Sequence, residues 1–324
     1  MAEKKNRYGL SRRIPNDVKR KVRKRCLFGC VHCGSVIYQY EHFNPEFKDA
    51  QFHDENGITL LCATVHDKKT RGRISRAKIA EWNESPWSQS NDCVWEKIDD
   101  VQQLNNDPGI LLGSVGFRNV ENVITLKGKP IIQFLPPEVT GGPYRLNAEF
   151  NNMDGNQIAR VEENEWIGSI KNWDIQVEGR SCQINNDKRD IALAWEYMDL
   201  SDRLTIGITK LKMNYRGFVI HIQPGAFKIA TPNGLTLSIQ SAMIGNAHTG
   251  INMDDDFCQI APDGLLSATE FTIHRSDRYG YTILNNISFN TPYDLWTHFG
   301  NSRTNLKFNY ICFNSGLRIN RSGN

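Results

Sequence analysis

The sequence predicts an α+β chain: a small basic N-terminal module over residues 1–84, a linker over 85–108, and a larger, mainly antiparallel β domain over 109–324. Three observations lead there. Residues 1–80 hold 18 Lys and Arg against 8 Asp and Glu, while the rest hold 21 against 28, so the net charge of +3 conceals a basic head and an acidic body. Four of the eight cysteines and four of the eight histidines fall within residues 26–66. From about residue 109 onward, apolar residues recur with a period close to two.

Length and composition fit this division. A chain of 324 residues with 39% hydrophobic residues is long enough for two packed domains. No apolar run approaches the roughly 18 residues a membrane helix needs, and the basic N-terminus has no apolar segment behind it. The expectation is a cytoplasmic protein with no membrane partner. In that reducing setting clustered Cys and His indicate metal or catalysis rather than disulfides.

Residues 15–27 read as a helix. Pro15 suits a first helical position, and Val18, Val22 and Cys26 recur every four residues on one face. Arg23, Lys24 and Arg25 fall on the other faces, in a basic run that suits phosphate contact. Next comes Cys30-Val-His-Cys33-Gly, a tight turn whose thiolates can meet one metal ion. A second half appears at Leu60-Leu-Cys62-Ala-Thr-Val-His66, so Cys30, Cys33 and Cys62 supply three of the four ligands that structural Zn2+ prefers. His32 lies inside the turn and His53 in a loop, and neither is read as a ligand.

Between these halves lies Tyr38-Gln-Tyr40-Glu41-His42-Phe43-Asn-Pro45, then Asn56-Gly-Ile-Thr-Leu-Leu-Cys62, then His66-Asp-Lys68-Lys69-Thr-Arg71-Gly72. This order resembles the HNH endonuclease family over roughly residues 12–80. The resemblance implies a ββα-metal motif of two short strands and a helix around one divalent cation. It implies His42 as general base, Glu41 and His66 as ligands of a catalytic Mg2+ or Mn2+, and Asn56 as the residue that orients the base or supports the metal loop. Lys68, Lys69, Arg71 and Arg73 would then hold the DNA backbone. These residue types suit phosphodiester hydrolysis, which needs a base active near neutral pH and a cation for the charge developing on phosphate. One position departs from the family, which commonly places a Cys or His immediately before the final His; here it is Val65. Cys26, one helical turn before Cys30, is the candidate fourth zinc ligand. Its alternative is packing on the Val18/Val22 stripe, with Val65 filling the vacated space.

After residue 74, Ile74, Ala77, Ile79 and Ala80 predict a short helix, and Asn83-Glu-Ser-Pro86 breaks it. Residues 93–108 are ambiguous, with a helix as one option. Beyond them Tyr144, Leu146, Ala148 and Phe150 alternate with polar residues, as do Leu204, Ile206 and Ile208, and Phe218, Ile220 and Ile222. Turn signals such as Arg216-Gly217 and Pro232-Asn-Gly234 separate the runs. Many short strands predict a sandwich, barrel or solenoid. Ile191–Tyr197 reads as helix or buried strand, and Trp166 and Trp173 as core.

The expected function is a metal-dependent HNH-type DNA endonuclease of restriction or defence type. Its β domain would recognise, sense a ligand or protein, or assemble into a homo-oligomer. Two alternatives stand beside it: a zinc-knuckle protein that binds DNA without cutting, and a β-domain assembly protein with a DNA-binding appendage.

Overall fold

The structure is a computed structural model that describes residues 5–98, 108–200, 203–255, 257–261, 264–275, 281–289, 305–313 and 317–319. In chain order the first elements are α1 (Asn16–Arg25), β1 (Gln39–His42), β2 (Ile58–Leu61), α2 (Ala63–Thr70), α3 (Arg76–Glu84), α4 (Trp87–Asn91) and β3 (Cys93–Lys97). Then come β4 (Gly109–Leu112), β5 (Val115–Leu126), β6 (Lys129–Leu135), β7 (Arg145–Asn151), β8 (Gln157–Glu162), β9 (Glu165–Ser169), β10 (Asp174–Glu178) and β11 (Ser181–Asp187). The last are β12 (Asp190–Leu200), β13 (Arg203–Tyr215), β14 (Phe218–Gln223), β15 (Ala226–Ala230), β16 (Leu235–Asp254), β17 (Phe257–Ile260), β18 (Leu265–Arg275), β19 (Tyr281–Phe289), β20 (Asn305–Phe313) and β21 (Leu317–Ile319).

This corrects the α+β expectation. The chain is mainly β: among the described residues 21 strands stand against four α-helices, the longest of ten residues. Nor does the N-terminal segment close on itself as a distinct ββα module. The chain divides into two compact units, and the first takes in Met1–Lys97 together with Glu165–Gly179 and Ile184–Arg189. The physical reason is that the short helices bury too little apolar surface to finish a core alone. Distant strands complete it instead. β3 pairs antiparallel with β9, from Cys93 opposite Ser169 to Lys97 opposite Glu165. Residues 87–97, expected within the linker, thus form α4 and β3, while 99–107 lie outside the described residues.

Within this unit, β1 and β2 form an antiparallel ribbon with Gln39 opposite Leu61 and His42 opposite Ile58. All four β2 residues are buried. Around them pack Val18 and Val22 of α1, Val65 of α2, Ile79 of α3, and Cys26, Val31 and Phe43. The Val18/Val22 stripe read from the sequence is therefore the face of α1 that meets the core. α3 starts on the Ser75 hydroxyl, which accepts a hydrogen bond from the Lys78 N–H at 3.1 Å.

The second unit is built of β-ladders. β4 to β8 run as an antiparallel meander, and so do β12 to β16. Parallel pairings join β4 to β13 and β5 to β16. Alternation sorts side chains as the sequence suggests in β7, where Leu146, Ala148 and Phe150 are buried, and in β14, where Phe218, Ile220 and Ile222 are. Ile191–Tyr197 lies in strand β12. No helix among the described residues is long and apolar enough to cross a membrane.

Candidate metal sites and their surroundings

The cysteine cluster is built by three segments. The Cys30–Ser35 turn closes through the Cys30 N–H donating to Ser35 O at 2.8 Å and the Gly34 N–H donating to Cys30 O at 2.8 Å. Gly34 adopts φ +76°, and a Cβ there would fall 2.2 Å from the Trp87 ring, so only glycine fits. The Val31 N–H donates to Leu60 O at 3.1 Å, docking the turn on β2. On the other side the Trp95 indole N–H donates to Cys33 O at 2.7 Å. Cys62 arrives from the end of β2, as the residue that caps α2.

The three sulfur atoms of Cys30, Cys33 and Cys62 all lie within 4.8 Å of one another, and those of Cys33 and Cys62 are 3.8 Å apart. Tetrahedral zinc with Zn–S bonds of about 2.3 Å separates its sulfurs by about 3.8 Å, so the cluster suits a metal such as zinc. Hydrogen bonding from the Cys33 thiol lowers Cys30 to about 5, and the same contact drives Cys33 up. The hydrogen bonds at Cys30 thus favour its thiolate, the form in which cysteine binds a metal. Cys26 is not in this group: its sulfur lies 3.7 Å from the Thr59 hydroxyl and 3.6 Å from Asn83 Oδ1. Burial pushes its thiol up. Cys26 extends the apolar stripe, and Val65, 3% exposed, fills core immediately before His66. The fourth position of the cluster is supplied by none of the described His, Cys, Asp or Glu residues.

A second constellation sits one helical turn further along α2. The His66 N–H bonds back to Cys62 O at 2.9 Å, which sets the imidazole on the α2 face toward β1. There His66 Nε2 lies 2.9 Å from Glu41 Oε2, and Lys69 Nζ lies 2.6 Å from Glu41 Oε1. Two donors in adjacent positions on a cation, each about 2.1 Å from it, stand about 3.0 Å apart, so the Glu41–His66 spacing fits shared ligation as well as a direct hydrogen bond. They are only a pair, because no further His, Cys, Asp or Glu atom among the described residues joins them as a third ligand.

His42 is placed elsewhere. Neighbours in a strand leave opposite faces, so His42 points away from the Glu41 side. Its Nε2 lies 3.1 Å from His53 Nδ1, and its ring meets Phe47 edge-on at 5.3 Å. Burial and then the neighbouring His53 push His42 down to about 4. Burial also lowers His53. The structure thus brings together Glu41 with His66 and His42 with His53, and not His42 with His66. His53 is the partner that sequence reasoning passed over: it sits in a loop, and only the fold carries it back to the ribbon.

The remaining candidates separate by exposure. Asn56 is exposed in the turn before β2, where its N–H donates to Asp54 Oδ1 at 3.0 Å. Its neighbour Gly57 is required, because a Cβ would fall 2.2 Å from Asn44 O. Lys24, Lys68 and Arg73 are exposed. Arg71, also exposed, pairs with Asp67 at 2.9 Å. Arg25 is half-buried and donates to the Ile58 carbonyl. Arg23 is the clear correction to the expected DNA-contact set. Its guanidinium is buried and grips Asp174 with Nε–Oδ1 at 2.9 Å and Nη2–Oδ2 at 2.7 Å, while Nη1 donates to the Tyr40 hydroxyl at 2.8 Å. Burial opposes the charge, yet these bonds hold the guanidinium firmly protonated. Arg20 stacks on the Trp173 ring at 3.5 Å.

Compared with known proteins, the chain matches no family model, no curated protein and no solved structure.

Proposed function

We propose that this chain is a metal-dependent endonuclease of HNH type that hydrolyses DNA phosphodiester bonds, with Glu41 and His66 holding Mg2+ or Mn2+. The observation that carries the reading is the 2.9 Å contact between Glu41 Oε2 and His66 Nε2, two residues 25 positions apart in a chain whose motif order suggested that meeting. When bound, the cation supplies charge stabilisation to the phosphate and the leaving oxygen. Lys69, already on Glu41, adds a positive charge beside the same phosphate. Lys24, Lys68 and Arg73 extend exposed cations for the backbone. His42, buried and held by His53 on the side of the ribbon away from the Glu41–His66 pair, braces β1 rather than serving as the base. Zinc on Cys30, Cys33 and Cys62 staples the scaffold. The β-rich unit serves recognition, ligand sensing or self-assembly, in keeping with a restriction- or defence-type enzyme.

The test is nicking of supercoiled plasmid by purified protein with Mg2+ or Mn2+. Wild type should convert the plasmid, and Glu41→Ala and His66→Ala should each lose at least a hundredfold in rate. Equal nicking by all three would sink the reading.

A second reading has its own support. His42 is 8% exposed and already hydrogen-bonded to His53, which leaves little room for a water at its ring. A zinc-stapled protein that binds DNA without cutting accounts for that burial. It expects salt-dependent DNA binding, no nicking with either metal, and unchanged binding in Glu41→Ala.

A further inference from the structure

We infer that the first unit carries a separate subsite for an unpaired nucleotide of a DNA strand, in the cavity between the N-terminal loop and the Phe47–Asp49 turn. The inference deepens the proposed nuclease reading and rests on it only for the choice of DNA. The cavity is about 460 Å³, within the range of small-ligand sites, and is lined by Lys5, Arg7, Arg12, Phe47, Lys48 and Asp49. Two of its four cations are met by carboxylates, which leaves Lys5 and Arg12 to meet an anion. Arg7 is paired with Asp49 at 2.8 Å and Lys48 with Glu46 at 3.0 Å. Arg12 is exposed and lies over the Phe47 ring, 5.0 Å from its centroid. A cation beside an aromatic ring places a phosphate contact next to a surface on which a base can stack once the guanidinium turns to the phosphate.

The cavity is also preorganised. A single side chain, Asn6, ties its two walls together. Its amide nitrogen donates to Phe47 O and Ala50 O, each at 2.6 Å. Its amide oxygen accepts from the Tyr8 N–H at 2.9 Å and the Leu10 N–H at 3.0 Å. These four bonds, from a residue that itself lines the cavity, tie the N-terminal loop to the turn. The Phe47 ring also meets the His42 ring at 5.3 Å, so the cavity adjoins the His42–His53 pair. Duplex DNA cannot offer a base to Phe47 without flipping it, and the size and aromatic wall therefore favour a single-stranded or flipped nucleotide over a paired one.

Fluorescence anisotropy with a labelled oligothymidylate, with Mg2+ and Mn2+ left out so that no cleavage occurs, tests this with the full-length protein. Lys5→Ala/Arg12→Ala should weaken binding about tenfold and flatten the salt dependence by the loss of one to two phosphate contacts. Phe47→Leu, which keeps apolar volume, should cost on the order of tenfold by removing the stacking face. A duplex of the same length should feel the Phe47 change much less. Wild-type affinity and salt slope in Lys5→Ala/Arg12→Ala would overturn the subsite, as would equal loss on duplex and single strand in Phe47→Leu. If thymidine monophosphate displaces the oligonucleotide at an equal concentration, the cavity takes a free nucleotide and the strand assignment fails. Because the readout is binding without Mg2+ or Mn2+, it stands apart from plasmid nicking, where loss of the Glu41–His66 reading would appear.

Discussion

Replacing Asp174 by asparagine keeps the shape of the side chain and removes its charge. The Arg23 and Asp174 side chains are 6% and 0% exposed, and they meet as a two-pronged fork at 2.9 and 2.7 Å. In Asp174→Asn the guanidinium loses its counter-charge while remaining out of water, and an amide N–H now faces it. Breaking one side of a buried ion pair costs about 3–5 kcal/mol. For a unit of roughly 120 residues, an unfolding entropy of about 2.1 cal/mol/K per residue turns this into a fall in Tm of about 12–20 °C. Urea denaturation followed by tryptophan fluorescence, with calorimetry beside it, reads both quantities. The double variant Arg23→Met/Asp174→Leu should recover most of the loss, because a well-packed apolar pair commonly replaces a buried ion pair at little cost. A loss below about 1 kcal/mol in Asp174→Asn would refute the reasoning, since it would mean water reaches the pair.

Zinc at about one hundred times its Kd should raise the stability of the metal-free protein by about 2.7 kcal/mol, and Cys62→Ser should abolish the response; a zinc titration followed by thermal melting checks both. His42 sits near 4 in the fold against about 6.5 unfolded, so the unfolded chain binds the proton first as pH falls. Its contribution, about 3 kcal/mol at most, should be intact above pH 6.5 and disappear as pH drops toward 4, and in His42→Leu the melting curves of the metal-free protein should flatten across that window. Gly34→Ala meets both a left-handed backbone and the Trp87 ring, and should destabilise by more than 1 kcal/mol in the same denaturation assay.

What could be read from the chain was what is local. The Cys30/Cys33 turn and Cys62 declare themselves by spacing, and the strands β7 and β14 by alternation. The β12–β13 ladder shows where local reading stops. Leu211 pairs with Leu193 and Lys210 with Ala194, but Ile208 pairs with Trp195, so Thr209 is extra. That bulge shifts the inward set from Ile206 and Ile208 to Leu211 and Met213, which an unbroken period of two cannot anticipate. Arg23 is illegible for another reason: it sits in a run of cations that looks solvated, and its partner lies 151 residues away. Likewise Glu41 and His42 adjoin in sequence but diverge in space, because the pleat sends neighbours to opposite sides.

Cys62 and His66 stand at the two ends of one helical turn, joined by a single backbone hydrogen bond. The sulfur end lies beside Cys30 and Cys33, and the imidazole end meets Glu41. The cysteine corner and the Glu41 pair therefore share one short piece of backbone, and whatever braces the start of α2 braces both.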